Sequence, residues 1–297
     1  MHEPPQDVST DEVLQRVRTL WDPEVTALEH LAVGFGGWHW RADAQGEPRW
    51  FVTLDPPLWH TAESAEATYA AAASLAATLT CVHASVPSVQ GRFTSTLGPG
   101  WLSLTPWVTG RRPTTIDADA VRAVRDLHAA PAPESILTWE PAVRPELVDE
   151  LGAWTAEPWT AGPLGEPARR AVRAGLADVG RGLTAYLRLL DRLDPSAYVP
   201  THGEPGVHNQ WRADDGRLLL LDWETLRLAP RERDVLAGYA DLLPHDPALL
   251  DLVRLEWQLS EVGSYAEWLR GPHQDDADTR TALGGLREEL AGLAATR

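Results

Sequence analysis

Three features of this 297-residue chain predict an α+β fold, with a small β-rich N-terminal lobe and a larger, mainly helical C-terminal lobe. Short alternating strand patterns crowd the first third. Apolar stripes of helical period dominate beyond residue 117. Between them runs Pro106-Trp107-Val108-Thr109-Gly110-Arg111-Arg112-Pro113, punctuated like a linker. We therefore divide the chain into an N-lobe, 1–107, and a C-lobe, 108–297.

Taken in order, Ser9-Thr10-Asp11-Glu12 is a capping box that opens a helix with the apolar face Val13, Leu14, Val17 and Leu20. Leu28 to Val33 is a strand candidate, followed by Gly34-Phe35-Gly36-Gly37. Trp38 to Arg41 and Arg49 to Leu54 alternate as strands around the turn residues Asp43 to Gly46. Thr61 caps a helix reaching Leu79, and Trp101 to Thr105 forms one more strand, stopped by Pro106. Beyond the linker, Asp117 caps a helix bearing Val121, Val124, Leu127 and His128. Residues 131–165 look partly irregular, and a long helical stripe from Val172 to Leu190 ends by Asp194-Pro195. A hairpin turning at Asp214-Asp215-Gly216 lies between Trp211 and Asp222, and the pattern is helical again from Pro230.

Composition narrows the function. Apolar residues make up 43% of the chain and Cys81 is its only cysteine, which excludes a disordered chain, a disulfide scaffold and a cysteine-rich zinc site. The first residues show neither a basic nor an apolar leader pattern, and no stretch is apolar enough for a membrane span, so a cytoplasmic location is expected. The net charge of −17 repels phosphate backbones and anionic lipid, and it favours a cationic small molecule; solubility alone would also explain it. All 26 basic residues are arginine. Schiff-base chemistry and a phosphate-binding P-loop lysine are thereby closed.

The densest polar constellation is Thr201-His202-Gly203-Glu204-Pro205-Gly206-Val207-His208-Asn209, followed by Asp222-Trp223-Glu224 at the exit of an apolar strand. Glu204, Asn209 and Asp222 offer hard oxygen donors suited to a magnesium ion shared with a phosphate, and Glu204 could accept a proton from an attacking hydroxyl. Each residue alone is better read as a cap or a strand end. The set at this spacing points to chemistry. His202 and His208 match no common zinc spacing, the glycine turn lacks the dinucleotide fingerprint, and no serine elbow is present.

His202-Gly203-Glu204, Asn209 and Asp222-Trp223-Glu224, with Leu127-His128 upstream and Asp234 downstream, resemble the aminoglycoside phosphotransferase family and, within it, a spectinomycin-phosphotransferase-like branch with H-G-E-P in place of H-G-D. The resemblance implies a protein-kinase-like fold. It also implies transfer of the γ-phosphate of ATP or GTP to a hydroxyl of an aminoglycoside- or aminocyclitol-like acceptor, as in antibiotic resistance. Glu204 then stands in the position of the base, Asn209 and Asp222 in those of the magnesium ligands, and His202 and Asp234 in those that brace the loop. Gly34, Gly36 and Gly37 would cover the phosphates, and Leu104, Thr105 and Trp107 would form the nucleotide hinge.

Kinase-like folds hold the phosphates with a strand lysine. Its place here matches Thr53, leaving Arg41 or Arg49 as substitutes, with Glu63 or Glu66 as the helix acid. On the acceptor side we assign Glu224, Trp257 and Glu261, although solvated helix faces are the plainer reading of the downstream acids. Two other readings are a lysine-less pseudokinase or small-molecule binding protein, and a kinase of a metabolite or biosynthetic intermediate.

Overall fold

A computed structural model describes residues 1–34, 36–57 and 60–295; Phe35 of the glycine turn lies outside the described residues. The elements are α1 (Thr10–Leu20), β1 (Val25–Leu31), β2 (Trp38–Ala44), β3 (Glu47–Asp55), α2 (Ala62–Ala76), β4 (Ser95–Leu97), β5 (Gly100–Pro106) and β6 (Gly110–Arg111). Then come α3 (Ala118–Ala129), α4 (Leu147–Ala156), α5 (Gly165–Leu189), β7 (Val199–Thr201), β8 (Gln210–Ala213), β9 (Leu218–Leu220) and β10 (Arg227–Ala229). Three helices close the order: α6 (Glu232–Val235), α7 (Pro247–Arg270) and α8 (Ala277–Ala295). The chain forms two compact units, Met1–Trp139 with Ala197–Leu243, and Glu140–Ser196 with Pro244–Arg297. Among the described residues no helix is long and apolar enough to cross a membrane.

The first unit is built on an antiparallel sheet of order β1-β2-β3-β5-β4. Strand alternation sorts its side chains onto two faces. Trp40, Ala42, Val52, Leu54, Leu102 and Leu104 form one face, packed against Val13 and Val17 of α1. The capping box at Ser9 forms, and Thr61 opens α2 with a second one closed by Ser64. The register puts His39 opposite Thr53, Arg41 opposite Phe51 and Asp55 opposite Trp101, so these residues share the other face. There Trp101 packs with Ala65 and Tyr69 of α2.

Three readings of the sequence need correction. The first strand runs from Val25 to Leu31 rather than from Leu28 to Val33, because its register is set by pairing to Trp38–Ala44. The apparent linker contains β6, where Gly110 and Arg111 pair with Ala213 and Arg212 of β8. Arg212 then bridges to Asp117 at 2.5 Å and to Asp119 at 2.8 Å, at the start of α3. A two-residue strand leaves no alternation to read, so only its partner reveals it. Finally, α5 ends at Leu189 and gives way to two short 3₁₀ turns, Leu190–Arg192 and Pro195–Ala197. The irregular 131–165 stretch does contain one helix, α4.

The second unit packs α4, α5, α7 and α8 through apolar stripes that include Val172, Val179 and Leu183 of α5 and Leu252, Leu259 and Val262 of α7. On α7, buried Glu256 accepts the Ala142 N–H at 2.7 Å, and Asp246 caps the helix start.

Candidate active site

The candidate site lies in the first unit, where β7, β8, β9 and β10 converge. β7 pairs with β10, and β8 with β9, so the loops leaving β7 and β9 are fixed at both ends. Between β7 and β8 runs His202-Gly203-Glu204, closed by a 3₁₀ turn at Val207–Asn209. Asp234, at the start of α6 and without solvent exposure, braces this loop. Its carboxylate accepts the Gly203 N–H at 2.6 Å, the His202 N–H at 3.2 Å and the His128 Nε2–H at 2.8 Å. A buried carboxylate needs such donors, and three residues distant in sequence supply them. Gly203 has φ +99, and a Cβ there would stand 2.8 Å from Thr225 Oγ1, so the turn requires glycine.

His202 is buried and neutral: burial lowers its pKa against the opposing pull of Asp234. Its Nε2 lies 2.8 Å from the Leu221 carbonyl, which can only accept, so Nε2 carries the proton and Nδ1 receives the Glu204 N–H at 3.3 Å. The ring also packs on Trp223, with centroids 4.6 Å apart. Asn209 donates Nδ2–H to the Glu204 carbonyl at 3.0 Å, which fixes its amide and turns Oδ1 away from that bond. The Leu221 N–H donates to the Asn209 carbonyl at 2.8 Å, so the strand exit that carries Asp222 is stitched to the Asn209 turn. Asp222 itself is left-handed, φ 62 and ψ 70, a conformation that costs a non-glycine residue on the order of 1 kcal/mol.

Four carboxylates face one another electrostatically. Solvent reaches Asp222, yet protein surrounds its remaining sides; that lost hydration first, then the Glu204 charge, raises its pKa to about 6, with His208 opposing. Asp55, 8% exposed at the exit of β3, is pushed to about 7 by burial. The Tyr69 hydroxyl, donating at 3.0 Å, pulls it down, and the Asp222 charge adds to the rise. Burial and then Asp222, Asp55 and Glu204 hold Glu224 well above the carboxylate range, against Arg227. Glu204 is half-buried, and its Oε2 lies 3.6 Å from exposed His208 Nε2.

Asn209 and Asp222 present an amide and a carboxylate oxygen, hard donors that fit a small divalent cation. Among the described residues no ready-made group of three His, Cys, Asp or Glu donors exists, so phosphate oxygens and water would complete the coordination.

The remaining predicted residues fall in three places. On the polar sheet face, Thr53 Oγ1 meets His39 Nδ1 at 3.2 Å, and Arg41 is held by Asp43 at 2.8 Å and Glu29 at 2.9 Å. Arg49 is likewise tied to Asp22 and Glu24, and Glu66 to the backbone of Phe93 and Thr94. Leu104 points into the opposite, apolar face, so only its backbone serves the hinge. Thr105 lies opposite Phe51, whose ring stacks on His39 at 4.9 Å and lies 6.4 Å from Trp107. Burial holds His39 neutral, with a pKa of about 3. This aromatic row could carry a nucleotide base, and Phe51 was legible as the residue two before Thr53 on the same face. Gly34 and Gly36 have positive φ, while Gly37 approaches Asp55 closely: a Cβ there would stand 3.1 Å from Oδ1. In the second unit, α7 carries Trp257, exposed and 3.3 Å from Glu289, and Glu261.

A braced H-G-E loop, an asparagine five residues on and a carboxylate at the strand exit thus stand on two joined backbone segments. The sequence profile of the phosphotransferase enzyme family, APH, matches residues 36–270, and the chain belongs to that family, whose members phosphorylate hydroxyl groups of small molecules. No curated protein sequence matches the chain significantly. Among solved structures, it is similar to a spectinomycin phosphotransferase in complex with ADP and spectinomycin, at TM-score 0.73 and 13% identity over 98% of this chain and 99% of that one. An amicoumacin kinase with AMP-PNP, Ca2+ and its ligand gives TM-score 0.62 and 13% identity over 96% and 94%. The choline kinase LicA from Streptococcus pneumoniae gives 0.56 and 13% over 96% and 98%. These likenesses establish the fold: α+β, with an antiparallel sheet and a mainly helical remainder.

Two outcomes follow. Asp234→Ala strands the His202 and Gly203 N–H groups, and should lower stability in urea by at least about 3 kcal/mol. For Asp55, the folded pKa of about 7 exceeds the ordinary value near 4, so the folded state holds more protons between them. Its contribution to stability therefore falls as pH rises from about 4 to about 7 and is level above; Asp55→Asn, which mimics the protonated acid, should flatten that slope in urea midpoints across the range.

Proposed function

We propose that this protein moves the γ-phosphate of ATP or GTP to a hydroxyl of a cationic, aminoglycoside- or aminocyclitol-like molecule. The observation that supports this most is the gathering of Glu204, Asn209 and Asp222 on two backbone segments locked together by Asp234, His202 and the Leu221–Asn209 bond. In this reading residues 1–107 bind the nucleotide and 108–297 supply the catalytic loop and acceptor contacts.

The chain's own groups would act as follows. The Phe51–Trp107 row and the backbone at Thr105 seat the base, and the turn at Gly34, Gly36 and Gly37 covers the phosphates. Glu204 orients the acceptor hydroxyl and takes its proton as the new oxygen–phosphorus bond forms and the bond to the departing diphosphate breaks. Exposed His208, 3.6 Å from Glu204, offers that proton a route to solvent. Asn209 and Asp222 would hold Mg2+, which neutralises charge on the phosphoryl oxygens when bound. Burial and mutual repulsion raise the pKa values of Asp55, Asp222 and Glu224, and a metal ion or an ammonium-bearing acceptor bound beside them would relieve that repulsion and draw off their protons. Resistance to such an antibiotic, and a cytoplasmic setting, belong to the same proposal.

The likeness to a choline kinase favours a second reading, phosphorylation of a cationic metabolite; the absence of lysine favours a third, a binding protein without turnover. A panel of aminocyclitols, aminoglycosides and choline with ATP and with GTP separates them. Glu204→Gln should keep nucleotide affinity and lose phosphoryl transfer by about 10²-fold or more. Turnover equal to wild type would remove Glu204 from the mechanism.

A further inference from the structure

Kinase folds tie a strand lysine to a helix glutamate, and that pair must be in place for activity. Here lysine is absent, Arg41 is committed to Glu29 and Asp43, Arg49 to Asp22 and Glu24, and Glu66 to the backbone of Phe93 and Thr94. What joins β3 to α2 instead is a carboxylate and a phenol, Asp55 and Tyr69, with the hydroxyl donating to Oδ2 at 3.0 Å. Both are buried, 8% and 7% exposed, so neither polar atom has water as an easy substitute. The next residue back, Thr68, is 1% exposed and points about 100° away around the helix. Its Oγ1 accepts from Arg227 Nη1 at 2.9 Å. The same nitrogen donates to the carbonyls of Glu224 at 3.2 Å and Leu226 at 2.7 Å, on the turn that follows Asp222. On its other side Asp55 underlies the glycine turn, where a methyl group on Gly37 would stand 3.1 Å from Oδ1.

We infer that Asp55 and Tyr69 are positioning residues that replace the lysine–glutamate tie, and that Thr68 and Arg227 carry this tie on to the Asp222–Glu224 turn. One helical turn of α2 thereby sets the glycine turn, the strand and the Asp222–Glu224 turn against one another with no lysine. The consequence for nucleotide rests on the phosphotransferase reading; the tie itself does not.

The test is hydrogen exchange of 62–76 in the full-length protein without ligand, together with Mg-ATP affinity by equilibrium dialysis. Tyr69→Phe and Asp55→Ala should each speed exchange in α2 tenfold or more while α5 is unchanged, and should weaken Mg-ATP fivefold or more. Asp55→Asn keeps an acceptor oxygen and should stay within twofold of wild type in exchange. The pair Asp55→Lys with Tyr69→Glu restores a cation–carboxylate tie and should recover protection that each single change loses. Unchanged α2 exchange in Tyr69→Phe, or a paired variant no better than its singles, overturns the inference. If wild type binds no nucleotide, the phosphotransferase reading fails, and the exchange data alone decide the tie.

Discussion

Asp234 has no contact with water, and the geometry of the site depends on where its carboxylate stands. It gathers two backbone N–H groups of the loop after β7 and the ring of His128 on α3, three donors that local propensity would never bring together. Once that loop is fixed, His202 can donate its Nε2–H to the Leu221 carbonyl, and the strand exit bearing Asp222 is drawn to the loop bearing Glu204 and Asn209. Each bond in this chain contributes modestly by itself. Their shared burial makes them interdependent, because losing one leaves another polar group stranded.

The same economy governs charge. Asp55, Glu204, Asp222 and Glu224 repel one another, and the fold accepts raised pKa values at Asp55, Asp222 and Glu224 rather than neutralising them with nearby cations. Arg227, hydrogen-bonded to α2 through Thr68, donates its remaining bonds from Nη1 to the Glu224 and Leu226 carbonyls. A cation bound beside this cluster would relieve the repulsion and let its acids give up their protons. That is the physical sense in which an acidic, lysine-free chain can still suit a metal-bound nucleotide.

Much of the fold was legible because it rests on local rules. The capping boxes at Ser9 and Thr61, the Asp117 cap, the alternation through Trp40 and Val52 and the hairpin at Asp214-Asp215-Gly216 are all written in a few adjacent residues. The spacing of His202 to Asn209 and Asp222 made their juxtaposition legible too. What escaped depends on partners far along the chain: β6 exists only against β8, and Leu104 turns to the apolar face because of register with Val52. The Asp55–Tyr69 tie escaped for the same reason. An acid before Pro56 reads as a strand end, and a tyrosine inside an alanine-rich helix reads as core filler.

The most direct test of the account is calorimetric titration of the protein with ATP and with GTP, each with and without magnesium. Binding of at least one nucleotide that strengthens markedly with magnesium is the predicted result, since Asn209 and Asp222 would then take part only through the metal. Failure of both nucleotides to bind, or affinity indifferent to magnesium, would contradict it.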